Sequence, residues 1–222
     1  MKLGLLKCDP RPFEAMYAAW LPDVEWVVYD VVAGPLPASH TECEGWVGTG
    51  SRWSVYDDEP WIHAYADLVR NFHAAGAPLV GVCFGHQMIG HALGGRVARS
   101  EGGWCIGVQQ FAVNQTAAWM TPPLRSFGVV MSCQDQVQAL PPGATVLAGN
   151  ERCPTGLFQV GPRTLGIQGH PEYTPEYSES LMLSRVDRIG AERVEAGRAT
   201  LGDARHSAEL GQWVKNFLTG SP

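Results

Sequence analysis

The chain has 222 residues, 45% of them hydrophobic and 17% charged, with a formal net charge of −6. This composition describes a globular chain with apolar surface for a large core, and the acidic balance with scattered Lys and Arg excludes the basic footprint of a nucleic-acid partner. No stretch approaches the roughly 18 apolar residues of a membrane span, and the run Met1–Lys7 is too short for a secretory h-region, so a cytoplasmic protein without a membrane partner is expected.

In chain order, Lys2–Cys8 reads as a buried strand stopped by Asp9-Pro10 and Pro12, and Phe13–Leu21 as a helix. Glu25–Val32 is rich in β-branched and aromatic residues and ends at Gly34-Pro35, which marks a second strand. Gly45-Trp46-Val47 leads into a turn at Gly48–Ser51. Between Pro60 and Gly76 the residues Trp61, Ile62, Tyr65, Leu68, Val69 and Phe72 recur at helical spacing. Pro78–Val82 is a short buried strand, and Phe84–Leu93 a helix closed by Gly94-Gly95.

Further strands are expected at Val108–Val113, Phe127–Met131, Thr145–Leu147, Gly156–Val160 and Thr164–Gln168, and two tail helices near Glu176–Glu195 and Asp203–Leu218. No repeat, low-complexity tract or long polar linker interrupts the chain. The expectation is one domain over 1–222, with 175–222 a helical tail packed on it. Strands alternating with helices predict an α/β fold with a mostly parallel sheet covered on both faces, and some antiparallel strands in the second half. Ligands of such sheets bind beyond the carboxyl ends of the strands.

Two segments at predicted strand ends carry chemistry. Gly81-Val82-Cys83-Phe84-Gly85 has the form G-x-C-x-G between a strand and a helix. A nucleophile there sits in a tight turn that small flanking residues permit, facing the N–H groups and positive dipole end of the helix. The alternative for this pattern alone is a buried cysteine in a glycine-rich packing corner. His170 follows the strand at 164–168 and Gly169; Pro171 stiffens the exit, and Glu172 is placed to bind the far ring nitrogen. Nucleophile, base and orienter are the parts of a catalytic triad. His86 and His91, on the helix after Cys83, are expected to turn away from the sulfur. The cysteines at 8, 43, 105, 133 and 153 read as small buried hydrophobes or inert thiols. No zinc-ligand spacing, phosphate loop or nucleotide fingerprint occurs, so no metal and no cofactor are expected.

At Gly81-Val82-Cys83-Phe84-Gly85-His86-Gln87 and Gly169-His170-Pro171-Glu172 the sequence resembles the class I glutamine amidotransferase family. The resemblance runs from the first strand to about residue 175. It implies that family's flavodoxin-like fold, with Cys83 as nucleophile, His170 as base and acid, and Glu172 as orienter. Thr49-Gly50-Ser51 matches the family's glycine turn, which implies an oxyanion hole made by the Gly50 and Phe84 N–H groups. Gln87 matches a position that helps hold the substrate. Ser132-Cys133-Gln134-Asp135-Gln136-Val137 matches a segment that usually reads Ser-His-x-Asp-x-Val and contacts the α-amino and α-carboxyl ends of glutamine. Here Cys133 replaces the histidine.

The turn Thr49-Gly50-Ser51, with Val55-Tyr56-Asp57 close behind, resembles the stand-alone, GMP-synthetase-related branch of that family, some of whose members act as peptidases or hydrolases on γ-glutamyl conjugates. The function implied is cleavage of the γ-carbonyl amide of glutamine or a γ-glutamyl compound, a small-molecule substrate, through a γ-glutamyl thioester. The alternatives are a glutaminase subunit supplying ammonia to a separate synthetase chain, and a non-catalytic binding protein of the same fold. Trp104 is a candidate for the border of the crevice, and Tyr56, Asp57 and Asp58 for its entrance. Trp213 and Phe217 are expected in the core.

Overall fold

The computed structural model describes residues 1–221. The first half contains β1 (Lys2–Lys7), α1 (Phe13–Trp20), β2 (Glu25–Asp30), β3 (Gly45–Gly48), α2 (Pro60–Ala74), β4 (Leu79–Val82) and α3 (Phe84–Ala92). The second contains β5 (Arg96–Arg99), β6 (Cys105–Val113), β7 (Ser126–Cys133), β8 (Asp135–Ala139), β9 (Ala144–Gly149), β10 (Leu157–Val160) and β11 (Thr164–Ile167). The chain closes with α4 (Pro175–Leu183), α5 (Val186–Ile189), α6 (Ala191–Ala199) and α7 (Ser207–Thr219).

Nine strands form one sheet in the order β2-β1-β3-β4-β11-β10-β9-β6-β7. From β2 to β11 every pairing is parallel, and from β11 to β7 every pairing is antiparallel. Successive antiparallel pairings return β9 and β7 to the direction of β11, so the five parallel strands plus these two make seven of nine pointing one way. The central strands β3, β4 and β11 are buried along their whole length, as helices on both faces require.

Alternation along the strands divides the core in two. Leu3, Leu5, Val47, Val80, Val82, Leu165 and Ile167 pack with Phe13 and Tyr17 of α1 and with Leu210, Trp213 and Phe217 of α7. Leu6, Trp46 and Leu79 face the other way, onto Ile62, Tyr65, Val69 and Phe72 of α2 and Met88 and Ile89 of α3. Trp213 and Phe217 thus lie in the core, as expected.

Three local readings need correction. The helix expected over 176–195 is three helices, because Arg185 leaves helical geometry and Gly190 adopts φ 94 at the junction of α5 and α6. The pieces bend so that Met182, Ile189 and Val194 reach Ile106 of β6. Strands β5 and β8 were not expected; they pair only with each other as an antiparallel ribbon, and their short, half-exposed sequences carry no apolar run. Finally, β6 and β7 extend to Cys105 and Cys133, which stand opposite each other in register.

Candidate active site

The carboxyl ends of β1, β3, β4 and β11 meet at one edge of the parallel region, and each delivers part of a site. At the end of β4, Cys83 has φ 53 and ψ −98 and is the only non-glycine residue with positive φ among the described residues. An L-residue held there stores on the order of 1–3 kcal/mol. The turn is fixed by Cys83 N–H donating to Ile167 O at 2.9 Å and Gln87 N–H donating to Cys83 O at 3.0 Å. Cys83 is nonetheless only 6% exposed, its thiol facing a cleft and not bulk solvent.

The turn depends on small residues. A Cβ on Gly81 would collide with the carbonyl of Gly85 and stand 2.7 Å from His86 N. Gly81→Ala is therefore expected to destabilise the protein by about 2–3 kcal/mol, read as a lower denaturant midpoint, and to cost activity by displacing Cys83. A wild-type midpoint would show that α3 can shift away without strain.

At the end of β3, Thr49 O accepts from Gly85 N–H at 3.1 Å, latching the glycine turn to the start of α3. A Cβ on Gly50 would lie 2.8 Å from His170 Cε1, so this backbone runs against the imidazole. Among the described residues no acceptor consumes the Gly50 or the Phe84 N–H. Both donors flank Cys83, one on the turn after β3 and the other on the residue that follows it in the chain.

His170 is set by β7, Val130 O accepting its N–H at 2.7 Å. Its Nδ1 bonds Glu172 Oε1 at 2.7 Å, with both side chains buried. Burial alone would lower the imidazole pKa. The Glu172 carboxylate and the Cys83 sulfur outweigh it, and His170 is raised from 6.5 to about 9. Tyr173 stacks on the ring with centroids 3.9 Å apart. Arg11 donates to Tyr173 Oη at 3.1 Å and pairs with Asp9 at 2.7 Å, while Asp9 also accepts from Arg52 N–H at 3.1 Å. Asp9, Arg11 and Tyr173 thus brace base and glycine turn together. Sequence reasoning missed them, since Asp9-Pro10-Arg11 reads only as a strand stop.

The sulfur opens into a narrow cleft that also meets Gln87, Ser132, Cys133, Gln134 and Trp104. Gln87 spends its amide donors on the wall, bonding Asp135 O at 2.7 Å and Gln168 Oε1 at 3.2 Å, and so ties α3 to the segment at 132–135. Burial, with the neighbouring Cys83, pushes the Cys133 thiol up. It is a neutral group where an imidazole would titrate. Trp104 borders the cleft, whereas Tyr56, Asp57 and Asp58 do not line it; Asp57 caps Ser54 N–H at 2.8 Å and Asp58 meets His63. His86 is wholly buried against Phe158, and burial lowers its pKa to about 3. His91 is exposed at the end of α3. All six cysteines are free and buried. Among the described residues no group of side chains is arranged to hold a metal, and no helix is long and apolar enough to cross a membrane.

The family description "Glutamine amidotransferase class-I" matches residues 54–186. Gamma-glutamyl peptidase 3 of Arabidopsis thaliana is 28% identical over 211 residues, covering 88% of this chain and 83% of that protein. A glutamine-hydrolyzing GMP synthase of Porphyromonas gingivalis is 31% identical over 161 residues, covering 71% of this chain and 31% of the synthase. The fold is shared with a glutamine amidotransferase of Methylobacillus flagellatus (TM-score 0.77, 21% identity, 98% of this chain and 92% of that one). It is shared also with one of Thermotoga maritima (TM-score 0.79, 18% identity, 97% and 95%). The chain belongs to the class I glutamine amidotransferase family.

Proposed function

We propose that the chain is a cysteine-nucleophile amidohydrolase that cleaves the γ-carbonyl amide of glutamine or a γ-glutamyl compound. The observation that carries this reading is Cys83 in its strained turn beside an imidazole bonded to a buried carboxylate at 2.7 Å. Cys83 Sγ attacks the γ-carbonyl carbon, and the Gly50 and Phe84 N–H groups receive the oxyanion. The C–N bond breaks as His170 protonates the departing amine, leaving a γ-glutamyl thioester. His170 then takes a proton from water, which attacks the thioester; the C–S bond breaks and glutamate leaves. Glu172 holds the imidazole in orientation throughout.

Acid quenching during turnover of a γ-glutamyl dipeptide tests this. Intact mass is expected to show one γ-glutamyl group bound to the protein, located at Cys83 by peptide mapping. Amine release with no acyl-protein, or acylation elsewhere, would refute the mechanism. The match to part of a GMP synthase supports a second reading, a glutaminase serving a separate synthetase chain. That reading expects weak turnover alone and stimulation on adding such a synthetase.

A further inference from the structure

Four arginines, Arg52, Arg99, Arg185 and Arg188, line the same cleft as Cys83, and Asp135 is the single acidic residue among its lining. The chain as a whole has 22 acidic against 16 basic residues, so four cations against one anion is a local reversal of its charge. The arginines come from separate segments: the turn after β3, the ribbon strand β5, and the two ends of the bend between α4 and α6. The Asp135 carboxylate is itself engaged, accepting from Ser54 Oγ at 2.5 Å.

None of the four belongs to an ion pair among the described residues, whose pairs all lie elsewhere. Among the described residues the side chains of Arg52, Arg99 and Arg188 donate no hydrogen bond, and Arg185 makes one long contact, to Ser132 Oγ at 3.5 Å. Two of them are held by their faces. Arg52 lies over Trp53 at 4.3 Å and Arg188 over Trp104 at 5.6 Å. Stacking uses the plane of a guanidinium and leaves its N–H edge free to fork onto an oxyanion. Arg152 and Arg193 behave differently, spending donors on the carbonyls of Gly102 and Trp104 and so pinning the loop that carries Trp104. Burial and the nearby Arg11 charge push the Arg185 guanidinium down, as befits a cation without a counter-ion.

Glutamine presents one carboxylate, and its leaving group, ammonia, brings no negative charge to such a wall. Resting on the hydrolase reading above, we infer that the substrate is a γ-glutamyl amino acid or short peptide whose leaving amine bears one or more carboxylates, held by Arg52, Arg99, Arg185 and Arg188. Charge-assisted, forked contacts of this kind are the strong ones, and an electropositive cleft also gathers anions from solution.

The test compares kcat/KM for γ-glutamyl-methylamide, γ-glutamyl-glycine and γ-glutamyl-glutamate, whose leaving amines carry zero, one and two carboxylates. An increase of about tenfold per carboxylate is expected, shrinking as salt is raised because these charges are partly exposed. Arg99→Ala and Arg188→Ala change exposed side chains and are each expected to lower the ratio of γ-glutamyl-glutamate to γ-glutamyl-methylamide by about tenfold. Turnover of all three substrates at equal efficiency, or ratios unmoved in both variants, overturns the inference while the hydrolase reading stands. Inertness towards all three and towards glutamine, without acylation of Cys83, overturns both.

Discussion

Replacing Cys83 with Ala is expected to lower kcat/KM for a γ-glutamyl substrate by about 10⁴-fold or more, since loss of a nucleophile removes the whole covalent route. The fold should survive. Cys83 presents its thiol to the cleft, so Ala opens no sealed core cavity. Its Cβ still occupies the backbone conformation at φ 53, so the strain of the turn remains. Cys83→Gly removes that Cβ and is expected to be equally inactive yet more stable than Cys83→Ala by about 1 kcal/mol. Single-turnover kinetics and denaturant melts of the two variants read both effects. Turnover by the alanine variant at the wild-type rate would end the assignment of Cys83. Equal stability of the two variants would show that the turn stores no strain.

Glu172→Gln is expected to lower kcat by about 10²-fold and to shift the alkaline limb of the pH–rate profile to lower pH. Burial disfavours the His170 imidazolium, and the Glu172 carboxylate and Cys83 sulfur hold it at about 9 against that penalty. Without the carboxylate, burial gains. The same shift bears on stability. Because the folded pKa, about 9, lies above the ordinary 6.5, the contribution is fully present below pH 6.5 and is lost as pH rises through 9. A shift of that size is worth about 3 kcal/mol. Above pH 9 buried thiols add a separate loss, Cys8 being raised to about 12 by burial. The difference between wild type and variant in denaturant unfolding at pH 6, 7.5 and 9.5 isolates the imidazole. Wild type should lose more stability than Glu172→Gln between pH 6.5 and 9, and parallel profiles would mean that Glu172 does not set the charge of His170.

Much of the site was legible because its parts are local. Glycine spacing around Cys83 and the order Gly169-His170-Pro171-Glu172 each describe a single strand end, where backbone geometry depends on nearest neighbours. The tail was less legible. Its polar helical pattern from 176 to 195 runs through Arg185 without a Pro, and only packing onto β6 makes three helices of it. The ribbon of β5 and β8 was hidden for a related reason. Each strand gains its partner from the other, 35 or more residues away, and neither Arg96–Arg99 nor Asp135–Ala139 carries an apolar face to announce it.

By itself the sequence determined the parallel half of the sheet, the strained turn at Cys83 and the pairing of His170 with Glu172, since each follows from short-range pattern and turn chemistry. Only the tertiary structure decided what surrounds them. The Asp9–Arg11–Tyr173 brace joins residues 162 positions apart, and the four cleft arginines lie on segments with no shared spacing. In one dimension they are scattered charges on an acidic chain. The fold makes them one wall, because the turn after β3, the ribbon strand β5 and the bend between α4 and α6 all border the cleft beyond the strand ends.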